Sequence, residues 1–237
     1  MRSWLGGDTL AGLGRVQMER QRSARSGSAS SEFTVAKRPQ TAPPEATLGA
    51  LVDWLHSEDV SGLIIGGIAA SLLGRPRLTR DVDVLILLEE HRWGGFLNAG
   101  TRFGFLPRID DPLVFARRAR VLLVHHKPSG VNIDISLAGL PFEEESIAQV
   151  RWTKVGKLSL PLPTPENLII MKAVAHRPQD MVDVGALLDA NPKMNLRRIR
   201  RWVEEFSSAL DAPDILSDLE NILRRSRRRR SRRRKKR

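Results

Sequence analysis

Residues 66–83 read GGIAASLLGRPRLTRDVD, and this stretch decides the fold. It opens with two glycines, continues with an apolar run that predicts a short helix ending at Gly74, and closes with two aspartates separated by one valine. Residues 62–65 (GLII) predict a short strand before the glycines, and residues 81–88 predict a second strand. Because side chains alternate along a strand, Asp81 and Asp83 should share one face, with Cα atoms about 7 Å apart.

The paired aspartates predict a site for divalent cations. Two carboxylates on one strand face repel each other unless a cation neutralises them. A third carboxylate comes from residues 131–137 (VNIDISL), in which apolar and polar side chains alternate and Asp134 is the only acid. The pattern predicts Asp81, Asp83 and Asp134 as metal ligands and catalytic residues. The expected cofactor is Mg²⁺ (or Mn²⁺), and the expected substrate is a nucleoside triphosphate whose phosphate oxygens complete the coordination.

The glycine pair and the basic residues that follow it are candidates for phosphate binding. A glycine-rich turn before a helix lets backbone N–H groups approach phosphates closely, which makes Gly66 and Gly67 candidate nucleotide-binding residues. Arg75, Arg77 and Arg80 precede the acidic strand and could neutralise phosphate charge. Each signal alone has a structural interpretation, since Gly-Gly is often only a turn and Asp-x-Asp is often a solvated strand end. Their combination favours a functional site.

The chain divides into four predicted regions. Residues 1–44 are rich in Ser, Arg, Gly and Pro and predict a disordered segment, whereas residues 45–163 predict an α/β (α+β) core around a mixed sheet. Residues 164–223 predict a helical part that begins with Thr164 as N-cap and Pro165 in the first turn. Residues 224–237 predict a disordered Arg/Lys-rich tail. Hairpins are predicted at residues 120–125 with 131–137 and at residues 152–155 with 157–162, and a loop is predicted up to Pro112.

Composition excludes several classes of protein. The 237-residue chain has no cysteine, which excludes disulfides, thiolate zinc sites and a cysteine nucleophile and suits a cytoplasmic protein. No run of about 18 apolar residues is present, so no membrane span is predicted. Residues 224–237 contain 12 basic and no acidic side chains, and the rest of the chain contains 27 of each, so the net charge of +12 belongs to the tail. That tail predicts binding to RNA or DNA through counterion release, or it is an extension without function.

The spacing of the first motif resembles a known signature. Gly66-Gly67, a spacer of 13 residues and Asp81-x-Asp83 resemble the signature of the DNA polymerase β-like nucleotidyltransferase superfamily. Within it, the chain resembles the AbiEii-like group of abortive-infection, type IV toxin proteins, because Arg77-x-Thr79 precedes the aspartates. Residues 165–184 (PENLIIMKAVAHRPQDMVDV) resemble the later helical motif of that group, and the matching positions are Lys172, Arg177, Asp180 and Asp183.

The resemblance implies an enzyme that transfers a nucleotide from a triphosphate to an acceptor such as RNA, tRNA or protein. Asp81 and Asp83 would be metal ligands, Asp134 a further ligand or the general base, and Lys172 a contact to the triphosphate. A toxin role, with an antitoxin protein as partner, follows from the AbiEii-like resemblance. The other residues that it assigns to nucleotide binding are Arg77, Thr79, Arg177 and Asp180.

Other interpretations of these residues stay open. Arg177 and Asp180 are three residues apart and could simply pair along a helix, and Asp183 could be a surface residue on the same helix. At the level of function, one rival is a small-molecule nucleotidyltransferase of the aminoglycoside-modifying type. Another is a catalytically silent nucleotidyltransferase fold that binds nucleic acid or a partner protein.

Overall fold

The computed structural model of the protein describes residues 43–234. Within them the chain forms two compact units, one of residues 43–62 and 78–144 and the other of residues 63–77 and 145–234. The segment predicted to be disordered, residues 1–44, lies outside the described residues except for its last two. The boundary predicted at residue 163 stays a prediction, because compactness alone does not define an independently folding domain.

The first described helix begins at Glu45, next to the predicted start of the fold. The helices are α1 (Glu45–Ser57), α2 (Gly66–Leu73), α3 (Trp93–Gly100), α4 (Pro112–Ala119), α5 (Pro141–Ala148), α6 (Pro165–Ala175), α7 (Pro178–Ala190), α8 (Leu196–Ala209) and α9 (Pro213–Arg234). The strands are β1 (Gly62–Ile65), β2 (Val82–Ile86), β3 (Phe105–Pro107), β4 (Val121–His126), β5 (Val131–Leu137), β6 (Arg151–Val155) and β7 (Leu158–Leu162).

The main sheet is mixed, as the sequence predicted. Its strand order is β1–β2–β5–β4–β3. Strands β2 and β5 are parallel, with Val82 opposite Ile133 and Ile86 opposite Leu137, whereas β4 is antiparallel to both β5 and β3. Gly62 starts β1 beside Ile86, where an added Cβ atom would lie only 2.9 Å from the Ile86 Cγ2 atom, so this approach requires glycine.

The core of the first unit follows from the alternation along β2 and β5. Val82, Val84 and Ile86 are fully buried, as the pattern predicts for the face opposite the aspartates. Trp54 of α1 is also fully buried, and its ring stacks on the ring of Phe96 with a centroid distance of 4.2 Å. Buried side chains of this size each stabilise the folded state by about 1.5–3 kcal/mol, so they hold β2 and β5 side by side.

The second unit contains the predicted hairpin and helices. Strands β6 and β7 pair antiparallel, and the chain turns at Gly156, whose φ angle is 59°. Helix α6 begins as predicted, since the side chain of Thr164 accepts a hydrogen bond of 3.2 Å from the backbone N–H of Asn167 and Pro165 occupies the first turn. Pro178 begins α7, which also confirms the prediction.

The final helix continues through most of the basic segment, so the prediction of disorder is wrong for residues 224–234. Helix α9 extends to Arg234 because arginine is a good helix former and the helix is already nucleated upstream. Its buried positions Leu219, Leu223 and Ser226 recur at helical spacing. Ser226 donates a hydrogen bond of 3.0 Å to Asp189 on α7, which anchors the basic part. Residues 235–237 lie outside the described residues.

The predicted loop up to Pro112 contains a strand, and a helix begins at its end. The strand is β3, which pairs with β4, and the helix is α4, which begins with Pro112 in its first turn. A strand of three residues lacks a detectable period, and long-range pairing determines it. Among the helices within residues 43–234, none combines the length and apolar character that crossing a bilayer requires.

Candidate active site

Three aspartates of the first unit meet on adjacent strands. Asp83 of β2 lies directly opposite Asp134 of β5 in the parallel register, so their backbones are about 4.8 Å apart. Asp81 immediately precedes β2, two residues before Asp83. We refer to Asp81, Asp83 and Asp134 as the acidic cluster. The structure therefore places Asp83 and Asp134 on neighbouring strands and Asp81 two residues before Asp83, and their joint role as metal ligands stays a prediction.

The electrostatics of Asp81 reflect this crowding. Although its side chain retains solvent exposure, partial burial raises the pKa of Asp81 above its usual value, and the negative charge of Asp83 raises it further. The positive charges of Arg108 and Arg80 oppose both effects without cancelling them. A carboxylate in such surroundings is stabilised by any additional cation that approaches it.

Arg108 is a member of the site that sequence reasoning missed. It follows β3 directly, and its Nη2 atom donates a hydrogen bond to the Oδ1 atom of Asp134. Both side chains are largely withdrawn from solvent, with exposed fractions of 25% and 31%. No sequence pattern assigns Arg108 to the site, because Arg108 reaches Asp134 only through the pairing of β3 with β4, which the sequence pattern did not reveal.

The donor chemistry of the acidic cluster fits a hard divalent cation. Magnesium and manganese prefer oxygen ligands, and carboxylates that face each other across neighbouring strands supply them. Within the described part of the chain, however, no three His, Asp or Glu side chains already surround one point at which an ion could be held. Asp81 and Asp83 would hold the ion, while the carboxylate of Asp134 is engaged by Arg108.

Thr79 and the glycine pair were predicted to bind the nucleotide. The hydroxyl group of Thr79 donates a weak hydrogen bond of 3.4 Å to the backbone carbonyl of Asp81, so it shapes the entry to β2. Gly66 begins α2 in the second unit with a φ angle of 62°, a left-handed conformation that favours glycine, and Gly67 is buried. The sharp turn between β1 and α2 is thus confirmed, and phosphate binding by these residues stays a prediction.

Five charged residues of the later motif and the first motif form a network within the second unit. The Nζ atom of Lys172 lies 2.6 Å from Asp180 Oδ1 and 2.9 Å from Asp183 Oδ2. Arg177 donates to Asp180 at 2.5 Å, and Arg77 donates two hydrogen bonds of 3.0 Å to Asp183. We call these five residues the buried ion network, because the side chains of Lys172, Asp180 and Asp183 are only 5%, 2% and 6% exposed.

The network corrects one prediction and confirms another. Asp183 is buried, so the interpretation as a surface residue is wrong. Burial alone raises the pKa of Asp183, but hydrogen bonds from Arg77 and Lys172 outweigh burial and hold that pKa below its usual value. The pairing of Arg177 with Asp180 three residues apart is confirmed.

The network also determines the surroundings of Lys172 and Arg77. The ammonium group of Lys172 has two buried carboxylates as partners, which gives this residue a structural role, and its predicted contact with a triphosphate stays a prediction. Ser71 fixes the backbone of Arg77 from both sides, since its hydroxyl group accepts from the N–H group at 2.9 Å and donates to the carbonyl group at 2.7 Å. Sequence reasoning missed this role of Ser71.

The comparisons with known proteins identify the fold. No family model matches the chain, and no curated protein matches it. The solution structure of the antibiotic-resistance factor ANT(2'')-Ia is similar, with a TM-score of 0.50 and 12% identity over 71% of this chain and 93% of that protein. A structure of ANT(2'')-Ia in complex with adenylyl-2''-tobramycin has a TM-score of 0.47 and 15% identity over 69% and 97%.

An antigenic nucleotidyltransferase-like protein from Paracoccidioides brasiliensis has a TM-score of 0.47 and 15% identity over 76% of this chain and 94% of that protein. The likeness to ANT(2'')-Ia, together with the mixed sheet that carries the acidic cluster, defines the class: the chain has the nucleotidyltransferase fold. Identities of this size show the fold alone, and membership of the AbiEii-like group stays a prediction.

Proposed function

We propose that the protein is a metal-dependent nucleotidyltransferase that transfers a nucleotide from a nucleoside triphosphate to an acceptor. The observation that carries the proposal is the acidic cluster, in which Asp83 and Asp134 face each other in register and Asp81 stands two residues before Asp83. A nucleotidyltransferase fold without activity has no need to place Asp81 and Asp83 where the charge of one disfavours ionisation of the other.

The residues of the cluster have separate roles in this proposal. Asp81 and Asp83 would hold Mg²⁺ or Mn²⁺, which would supply positive charge that neutralises the triphosphate and lowers the pKa of the acceptor hydroxyl. Asp134 lies beside Asp83, where its carboxylate can accept the proton of that hydroxyl or complete the ligand set. The acceptor oxygen forms a bond to the α-phosphorus as the bond to pyrophosphate breaks, and the proton passes to the base.

A nucleic acid is the acceptor class that the surface of α9 favours. Arg224, Arg225, Arg227 and Arg228 are exposed, and no ion pair to a carboxylate engages them within residues 43–234, whereas Arg229 pairs with Asp189 at 3.5 Å. Guanidinium groups that lack a carboxylate partner along one helix attract polyphosphate backbones and release counterions. The proposal therefore includes a toxin role in which RNA is the acceptor and an antitoxin protein is the partner.

A small-molecule acceptor is the second candidate function. It is favoured by the likeness to ANT(2'')-Ia, a protein described in one complex with adenylyl-2''-tobramycin. The exposed arginines of α9 have no evident use with such an acceptor, because an aminoglycoside is itself cationic.

The function is tested by incubating the full chain with each of four α-labelled nucleoside triphosphates and Mg²⁺, in the presence of total RNA, total protein or tobramycin. We expect label to enter RNA and transfer to fall at least about 100-fold in Asp83→Asn, because a ligand to the catalytic ion is lost. Asp53→Asn, which removes an exposed carboxylate from α1, is the matched control and should retain full transfer.

The outcomes separate the candidates. Label in tobramycin alone would support the small-molecule enzyme, and absence of transfer by folded protein with every triphosphate and acceptor would reject the proposed function. Binding of RNA without transfer, unchanged by Asp83→Asn, would identify the silent fold.

The role of α9 has its own measurement. Arg224→Gln combined with Arg228→Gln should weaken binding of a labelled RNA and flatten the slope of log affinity against log salt by about 2, since each phosphate contact contributes about 1. Arg117→Gln combined with Arg118→Gln, which removes two exposed arginines from α4, is the charge-matched control. An unchanged slope in the double variant would show that α9 does not contribute to RNA binding.

A further inference from the structure

The position of Arg108 is set by the backbone of the sheet. Its N–H group donates a hydrogen bond of 3.0 Å to the carbonyl group of Leu123 on β4, which extends the pairing of β3 with β4 by one residue. Leu123 in turn lies opposite Asp134 on β5. The side chain of Arg108 therefore crosses β4 to reach Asp134, and the fold itself delivers a guanidinium group to the acidic cluster.

The guanidinium group of Arg108 interacts with two carboxylates of the acidic cluster. Its Nη2 atom donates to Asp134, and its positive charge also acts on Asp81. Its Nε atom, by contrast, is buried and finds no acceptor among residues 43–234. Buried N–H groups of native proteins normally have a partner, so this one indicates that an acceptor is missing from the described chain.

The charges of the cluster point to the class of acceptor. The guanidinium group of Arg108 acts on the carboxylates of Asp134 and Asp81, and Arg80 is a second, exposed cation near Asp81. The guanidinium group of Arg108 supplies one positive charge at Asp134, whereas a divalent cation would supply two. Phosphate oxygens are the acceptors that a planar guanidinium group binds best.

We infer that Arg108 is a positioning residue that acts as an internal counter-ion: it holds Asp134 when the site carries no nucleotide, and it releases Asp134 and turns to the triphosphate when metal and nucleotide bind. This inference rests on the proposed function. The metal ion binds tightly only when Asp134 is released, so the Arg108–Asp134 ion pair lowers the apparent affinity for the ion alone. The triphosphate restores that affinity because it draws Arg108 away from Asp134.

The inference predicts opposite effects on two affinities, which a merely structural role would not produce. In Arg108→Met, Mn²⁺ alone should bind roughly tenfold more tightly, because its competitor for Asp134 is gone. A non-hydrolysable ATP analogue, measured at saturating Mn²⁺, should bind roughly tenfold more weakly, because a charged donor to phosphate is lost.

The measurement is the concentration of free Mn²⁺ by electron paramagnetic resonance, with the full chain and without nucleotide, followed by titration of the ATP analogue. Arg102→Met is the control, since it removes the same charge from an exposed ion pair with Glu58, and both of its affinities should equal those of the wild type. Circular dichroism verifies the fold of each variant, and Arg108→Gln is subject to the same criteria if Arg108→Met is unfolded.

Two results would overturn the inference: Mn²⁺ affinity that is unchanged or reduced in a folded Arg108 variant, or analogue affinity that does not fall when Mn²⁺ affinity rises. The proposed function fails in a different way, namely when the wild type binds no Mn²⁺, with or without the analogue, and transfers no nucleotide. Tighter Mn²⁺ binding with weaker analogue binding supports the counter-ion role.

Discussion

Replacing Lys172 with methionine should destabilise the second unit by about 3 kcal/mol. The side chain of Lys172 is only 5% exposed, and it is bonded to two carboxylates that are 2% and 6% exposed. Removing one partner of a buried ion pair costs about 3–5 kcal/mol, because the remaining charge is left without compensation. The lower end applies here, because Asp180 retains Arg177 and Asp183 retains two hydrogen bonds from Arg77. Methionine has a similar volume, so no large cavity adds to the cost.

The assay is urea unfolding at pH 7, monitored by circular dichroism. Lys154→Met, which removes an exposed lysine from β6, is the matched control and should change the free energy of unfolding by less than about 0.5 kcal/mol. The double variant Lys172→Met with Asp180→Asn should recover part of the loss, because the buried carboxylate that has lost the ammonium group is replaced by a neutral amide, while the exposed Arg177 is compensated by solvent. A single variant Lys172→Met within about 1 kcal/mol of the wild type would refute the reasoning, since two buried carboxylates would then have lost a shared charged partner at little cost.

The same variant separates a structural lysine from one that contacts the triphosphate. If the network is structural, Lys172→Met should keep wild-type affinity for an ATP analogue under conditions in which it is folded. Loss of that affinity at wild-type stability would instead favour the contact implied by the AbiEii-like resemblance.

Three further predictions concern other parts of the molecule. The pKa of Asp183 is lowered in the folded state, so the ionised carboxylate stabilises the fold fully at pH values above its usual pKa of 3.8. This stabilisation is lost as the pH falls through the lowered pKa of the folded state. The difference in melting temperature between wild type and Asp183→Asn should therefore shrink on acidification, and a constant difference would contradict this. Gly100→Ala should cost about 1–3 kcal/mol in urea unfolding, because the new Cβ atom would lie 2.5 Å from Trp54; a neutral effect would show that the indole can move. Ser226→Ala removes the hydrogen bond to Asp189 and should cost about 1 kcal/mol and speed amide exchange after residue 224, and unchanged exchange there would show that this bond does not anchor the helix.

The sequence predicted those parts of the site that have a period. Alternation along β2 and β5 gave Asp83 and Asp134 their common face, and the register of the two strands confirms that they are neighbours. The turn at Gly66 was predictable because a strand, two glycines and a short helix leave few backbone conformations. Such local signals determine strands and turns, but they do not determine which side chains from distant segments contact the site.

The parts that sequence reasoning missed depend on contacts between distant segments. Arg108 belongs to the site only because β3, three residues long, pairs with β4. Asp183 is buried because a lysine from another helix and an arginine from residue 77 neutralise it, and charge alone had suggested a surface position. The helical form of residues 224–234 was missed because an arginine run lacks hydrophobic periodicity, although Ser226 continues the buried side of α9.

The location of a bound ion tests the acidic cluster most directly. Substoichiometric Mn²⁺ is added to ¹⁵N-labelled full-length protein with a non-hydrolysable triphosphate, and paramagnetic broadening of the amide signals is mapped. We expect broadening to be strongest for residues 81–84 of β2 and 132–136 of β5 and to disappear in Asp83→Asn. Broadening centred on any other segment, or broadening that Asp83→Asn leaves intact, would contradict the assignment of this cluster as the metal site of a nucleotidyltransferase.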